Sequence, residues 1–224
     1  MFFFALISPL LLSAVISAQP VLVDHIIAIC DYYVISQSDI ERAKQLIFAG
    51  APTILDKEDF SADNKEINKA VLKELLIRYL ADKKAYQFQT GKPESSKEAK
   101  DALDSIKSSL GPKKYADLLK SIAMSEDAVL KELAMWVRAK IFIERQMDMR
   151  VQLGKKQFYE KNRALFTGEY YEEEERVIKL YRKKLMDDWL NDELQKANYR
   201  ILDESFKLFG DDNKPNESKP PKSP

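Results

Sequence analysis

His25-Ile26-Ile27-Ala28-Ile29-Cys30-Asp31-Tyr32-Tyr33-Val34-Ile35 decides the fold class, because it is the one N-terminal stretch that reads as strand and not helix. Ile26 to Ile29 is apolar and largely β-branched, Asp31 supplies a turn, and Tyr32 to Ile35 resumes strand-forming residues, so a β-hairpin is predicted. A matching signal occurs only once more, at Tyr199-Arg200-Ile201-Leu202 near the other end. An isolated hairpin or single strand is not stable in water, so the two ends should meet in one small antiparallel sheet. Everything between them is helical in pattern. The predicted fold is therefore mainly α, a helical bundle with a small antiparallel sheet formed by the N-terminal hairpin and a C-terminal strand.

Helix signals follow the hairpin in order. Ser38-Asp39-Ile40-Glu41 has capping-box spacing, and Gly50-Ala51-Pro52 ends that element. Ile67, Val71, Leu72, Leu75, Leu76, Tyr79 and Leu80 recur at three- and four-residue intervals and predict a helix over about 64–88. Thr90-Gly91-Lys92-Pro93 breaks it, and Ser95 with Glu98 repeats the capping spacing before a helix that Gly111-Pro112 stops. A short helix around Tyr115, Leu118 and Leu119 comes next, and Ser125 then opens a helix expected to run to about Val151 and to end at Gly154, with a short segment at Phe158 and Tyr159 after it.

The angular arithmetic of this last helix is informative. At 100° per residue, Leu130, Leu133, Ala134, Val137 and Ile141 share one face, Val129, Trp136, Ile143 and Met147 a second, and Met135, Phe142 and Met149 a third. A helix apolar on three faces should be the central element. Thr167-Gly168 marks another break before a final helix over about 170–196. The four carboxylates Glu172 to Glu175 in its first turn read as a solvated helix start that complements the macrodipole; a cation site is the sharper alternative.

The chain has 224 residues, with 36 Lys plus Arg balanced by 36 Asp plus Glu, so no net positive field draws nucleic acid. One histidine (His25), one cysteine (Cys30) and six glycines leave no Ser-His-Asp triad in a plausible place and no zinc spacing. Phosphate-loop, dinucleotide and calcium-loop motifs are also missing. Catalytic, metal and cofactor residues are accordingly none. Cys30, alone in an apolar run, reads as a buried small hydrophobe. Residues 1–23 carry no charged side chain, and Phe2 to Ile16 is apolar except for Ser8, Pro9 and Ser13. This predicts a signal peptide over 1–18, with Val15/Ser17 or Ile16/Ala18 as the −3/−1 pair, and hence export with no membrane span in the mature chain, an uncleaved anchor being the alternative. A domain over 19–209 and a disordered tail over 210–224, rich in proline and without large apolar residues after Gly210, complete the expected organisation.

The run from Val23 to Ile40, the helix Leu72 to Ala81, Ser125-Glu126-Asp127-Ala128-Val129-Leu130, and the closing Trp189-Leu190 with Ala197-Asn198-Tyr199-Arg200-Ile201-Leu202 together resemble the SurA-type periplasmic chaperones, over about 22–203. The resemblance implies a helical chaperone fold, similar also to the trigger-factor client-binding domain, whose C-terminal strand completes the N-terminal sheet. Many members insert a parvulin prolyl isomerase domain before the last helix; here only about Asn162 to Tyr170 fills that place, which implies that isomerase activity is absent. The function so implied is non-enzymatic, ATP-independent holding of unfolded or nascent exported polypeptides, outer-membrane proteins among them. Adaptable thioether and aromatic side chains suit such a task, which makes Met135, Phe142, Met149, Tyr170 and Tyr171 the candidate client-binding residues. A scaffold or dimerising subunit with one fixed protein partner, or an accessory retaining the chaperone module of a lost isomerase, are the alternatives.

Overall fold

A computed structural model describes residues 24–61, 63–88 and 97–208. The expected signal peptide, the Thr90–Pro93 break with its Ser95 cap, and the tail over 210–224 lie outside the described residues.

β1 (Ile26–Cys30) and β2 (Tyr33–Ser36) form the hairpin, and β3 (Tyr199–Ile201) pairs antiparallel with β1 on its other side, giving the order β2-β1-β3. The chain's two ends therefore close on the central strand. Asp31 takes φ 55°, a left-handed conformation that Asp tolerates, and its turn is bound to the last strand. The Asp31 carboxylate accepts from the backbone N–H of Asn198 at 3.0 Å and from Lys83 at 2.8 Å, while its own N–H donates to the Asn198 carbonyl at 3.0 Å. Lys83 holds the Asp31 carboxyl below its ordinary range. A bulge between Ile26 and Ala28 lets two successive residues, Ile27 and Ala28, face the core fully buried, together with Cys30 and Ile35. Burial raises the Cys30 thiol to about 12, which keeps it protonated.

α1 (Gln37–Phe48) leaves directly from β2. Its capping box is Ser36 with Asp39, two residues before the predicted Ser38–Glu41 pair: Ser36 Oγ accepts the Asp39 N–H and the Asp39 carboxylate accepts the Ser36 N–H at 2.9 Å. The correction has a simple cause. β2 extends through Ser36, so the last extended residue is the cap, and Ser38 is already helical, held instead by Asp24.

α2 (Asn64–Phe88), α3 (Lys97–Ser121), α4 (Glu126–Lys161) and α5 (Tyr170–Lys196) make the bundle. α3 leaves helical geometry at Gly111 (φ 73°) before Pro112, as the Gly-Pro pair predicts. α4 packs against α2, α3 and α5, which makes it the central helix. Its buried stripe is Val129, Leu133, Trp136, Ile143, Met147 and Val151.

Gly154 does not end α4. The helix continues seven residues further to Lys161 and contains Phe158 and Tyr159. The glycine is there for space: a Cβ at Gly154 would lie 2.3 Å from the Tyr181 hydroxyl and 2.8 Å from its ring. A glycine inside a helix costs about 1 kcal/mol relative to alanine, which the close approach of Tyr181 offsets.

The core also holds an ion pair that the amphipathic pattern does not reveal. Glu74 and Arg78 are buried at 0% and 1% exposure. The Glu74 carboxylate accepts the backbone N–H groups of Ile54 (2.8 Å) and Leu55 (2.9 Å) and Arg78 Nε (2.7 Å); Arg78 Nη2 donates to the Pro52 carbonyl at 2.8 Å. The guanidinium carbon lies 3.3 Å over the centroid of Trp136. One pair thus satisfies the buried backbone of the α1–α2 connection and fastens it to the central helix. Burial lowers the pKa of Arg78 while the Glu74 carboxylate opposes that shift.

Candidate functional site

The main core reaches along α4 as far as Met147; a second, smaller core of Phe158, Tyr159, Phe166 and Val177 lies beyond it, between the end of α4 and the start of α5. Aromatic contacts dominate this arm. Phe158 stacks on Tyr181 with centroids 4.8 Å apart, Tyr159 meets Phe166 at 5.2 Å and Tyr170 at 5.5 Å, and the Tyr159 hydroxyl donates to the Gly168 carbonyl at 2.9 Å. The acidic first turn of α5 is occupied structurally. Glu173 accepts the N–H groups of Thr167 and Gly168, each at 3.1 Å, and the Gly168 N–H leads in lowering its pKa. Glu174 pairs with Lys155 at 2.7 Å, which lowers the Glu174 pKa. Among the described residues no cluster of His, Cys, Asp or Glu is arranged to hold a metal ion.

Where the main core gives way to the arm, a groove of about 500 Å³ opens between the end of α2 and the facing sides of α4 and α5. Phe142 and Trp189 supply its aromatic surface, Gln146 and Arg150 line the α4 side, Lys84 closes the α2 side, and Asp188, Asp192, Glu193 and Lys196 line α5. Glu193, mostly buried, is held from two helices by Lys84 at 3.0 Å and Lys196 at 3.3 Å. These pairs fix the polar wall of the groove beside the half-buried Phe142 and the nearly buried Trp189.

The five predicted client-binding residues fall into two places. Met135 and Phe142 are half-buried against the main core, with Phe142 also lining the groove; Met149, about two turns beyond Phe142, is 60% exposed. Tyr170 packs half-buried in the arm's own core and bonds Glu174 at 3.3 Å, whereas Tyr171 beside it is 86% exposed. From Tyr171 to Trp189 is about 27 Å of helical rise, so the tyrosines sit at the far end of the arm from the groove.

Leu153 is the residue that the sequence reading missed. It is 83% exposed and lies with Met135, Phe142, Gln146 and Met149 within an arc of about 60° on α4. The apolar ridge therefore rises out of the core at Phe142, passes the groove, and continues into solvent at Met149 and Leu153. Carrying the 100° spacing two residues past Val151 reaches it. No family model matches the chain, and no curated protein or solved structure matches it. Among the described residues no helix is long and apolar enough to cross a membrane.

Proposed function

We propose that the protein is a non-enzymatic, ATP-independent chaperone of the periplasm that holds unfolded or nascent exported polypeptides, outer-membrane proteins among them. The observation that carries this reading is the exposed pair Met149 and Leu153, which continues the Phe142 face of α4 beside the groove. Large apolar side chains exposed in a row on a regular, well-capped helix are costly to solubility unless they meet a partner. Thioether and leucine side chains accommodate many apolar sequences, which suits holding and not recognition of one epitope. The resemblance to SurA-type chaperones supports the same reading. The test is aggregation of a chemically unfolded outer-membrane protein diluted into buffer with and without the purified protein and without nucleotide. Suppression at near-stoichiometric ratio is expected; unchanged light scattering overturns the reading.

A second surface favours the alternative of a fixed protein partner. Strand alternation, with the bulge at Ile27–Ala28, turns Ile26, Ile29, Val34, Arg200 and Leu202 to the outer face of the sheet, where Ile26, Val34 and Leu202 remain exposed. Replacing Val34 and Leu202 by Thr separates the two readings: loss of one stoichiometric complex with holding intact points to the scaffold role.

A further inference from the structure

The charges around the α4 ridge define the kind of segment it takes, an inference that rests on the ridge being the client-binding surface. At 100° per residue Arg145 and Lys156 flank Met149 and Leu153 on one side and Arg150 flanks them on the other, where it also lines the groove. All three are exposed, and none forms an ion pair with a carboxylate among the described residues. The neighbouring carboxylates are engaged elsewhere. Arg182 holds Asp148, Lys155 holds Glu174, and Lys140 faces Glu144 at 3.8 Å. Across the groove Lys184 holds Asp188 and Lys196 holds Asp192, each at 2.5 Å, and Glu193 is bound by Lys84 and Lys196. The next carboxylate on the ridge's own face is Glu160, about two turns beyond Leu153.

An exposed apolar row bordered by three unpartnered cations is complementary to apolar side chains bordered by carboxylates. We infer that the ridge selects polypeptide segments in which large apolar residues alternate with Asp or Glu. Apolar burial against Met149 and Leu153 supplies the non-specific affinity; Arg145, Arg150 and Lys156 add attraction for acidic neighbours and repel basic ones. The same like charges oppose ridge-to-ridge association of two copies, which keeps the surface open.

The test compares two fluorescein-labelled short peptides, one alternating Leu and Phe with Glu and the other identical but with Lys for Glu, by fluorescence anisotropy at low ionic strength. The acidic peptide is expected to bind about tenfold more tightly, with the difference shrinking as salt is added. The triple variant Arg145→Glu, Arg150→Glu, Lys156→Glu should invert the preference while its circular dichroism and melting stay those of the parent, since all three side chains are exposed. Equal binding of both peptides, with aggregation still suppressed, overturns the charge selection and leaves the holding function standing. Loss of both peptide binding and aggregation suppression overturns the two together. Co-sedimentation with phosphatidylglycerol vesicles in place of acidic peptide binding also overturns the inference, since the cations would then serve a lipid surface.

Discussion

The sheet-bound body and the α4–α5 arm share two helices but are held together by different means. In the body, strands from both chain ends, the bulged pair Ile27–Ala28 and the clamp Glu74–Arg78–Trp136 tie segments distant in sequence into one large core. In the arm, four buried residues and a set of ring contacts join only the end of one helix to the start of the next. The difference teaches where the molecule can give: a region with few buried apolar contacts opens at lower free energy than the core it is attached to. The exposed part of the ridge, Met149 and Leu153, begins where the main core stops.

The largest expected effect is in the body. Arg78→Ala leaves the Glu74 carboxylate buried without its counter-charge and strips the Trp136 ring of its cover, so a loss of about 3–5 kcal/mol is expected in a urea denaturation curve. A change under about 1 kcal/mol would show that the clamp does not distinguish body from arm.

Gly154 sharpens the comparison from the arm's side. Gly154→Ala should displace the Tyr181 ring from Phe158 and speed amide exchange across the arm, with the main melting transition little moved. In a Tyr181→Ser background the same change should turn stabilising by up to about 1 kcal/mol, the ordinary helix preference for alanine. Identical effects in both backgrounds would mean that the close approach does not constrain residue 154.

A smaller effect on stability, with a clear effect on holding, is expected at the ridge. Met149→Ser with Leu153→Ser should change stability by no more than about 0.5 kcal/mol because both side chains are exposed, yet reduce aggregation suppression. Met135→Ser, half-buried against the body, should instead cost stability first. Holding that survives the Met149/Leu153 pair would move the site off the exposed ridge.

The smallest effects separate the regions by sign. Burial raises the Glu132 pKa above its ordinary 4.5, although Arg42 and Arg78 oppose the shift. This group therefore withdraws stability as pH rises from 4.5 through its folded value, and Glu132→Gln should gain on the parent over that window. In the arm, Glu173 lies below 4.5, chiefly through the Gly168 N–H. Its contribution is present above pH 4.5 and is lost as pH falls through the folded value, so Glu173→Gln should be weaker than the parent at neutral pH and converge with it in acid. Thermal melts of both variants across the acid range check the two opposite slopes.

Most of the architecture was legible because its signals are local. The 64–88 and 170–196 helices could be bounded from three- and four-residue spacing and flanking breaks, and the pairing of the two ends followed from strands that have no other partner. The errors share one cause. Ser38–Glu41 and Gly154 are motifs whose local meaning is a cap and a stop, but β2 running through Ser36 moved the first and Tyr181 packing on α4 removed the second. Leu153 was lost with the second error, since a helix ended at 151 cannot carry it.

What the sequence determined by itself is the set of elements, their order and the closing of the sheet, since backbone propensity and apolar periodicity act within a few residues along the chain. Tertiary structure alone decided that Glu74 and Arg78 are core residues, that a glycine sits mid-helix beneath a tyrosine ring, and that one apolar face of α4 passes from buried to exposed along its length. Burial is a property of what lies opposite a side chain, and for these residues the opposing group comes from another element.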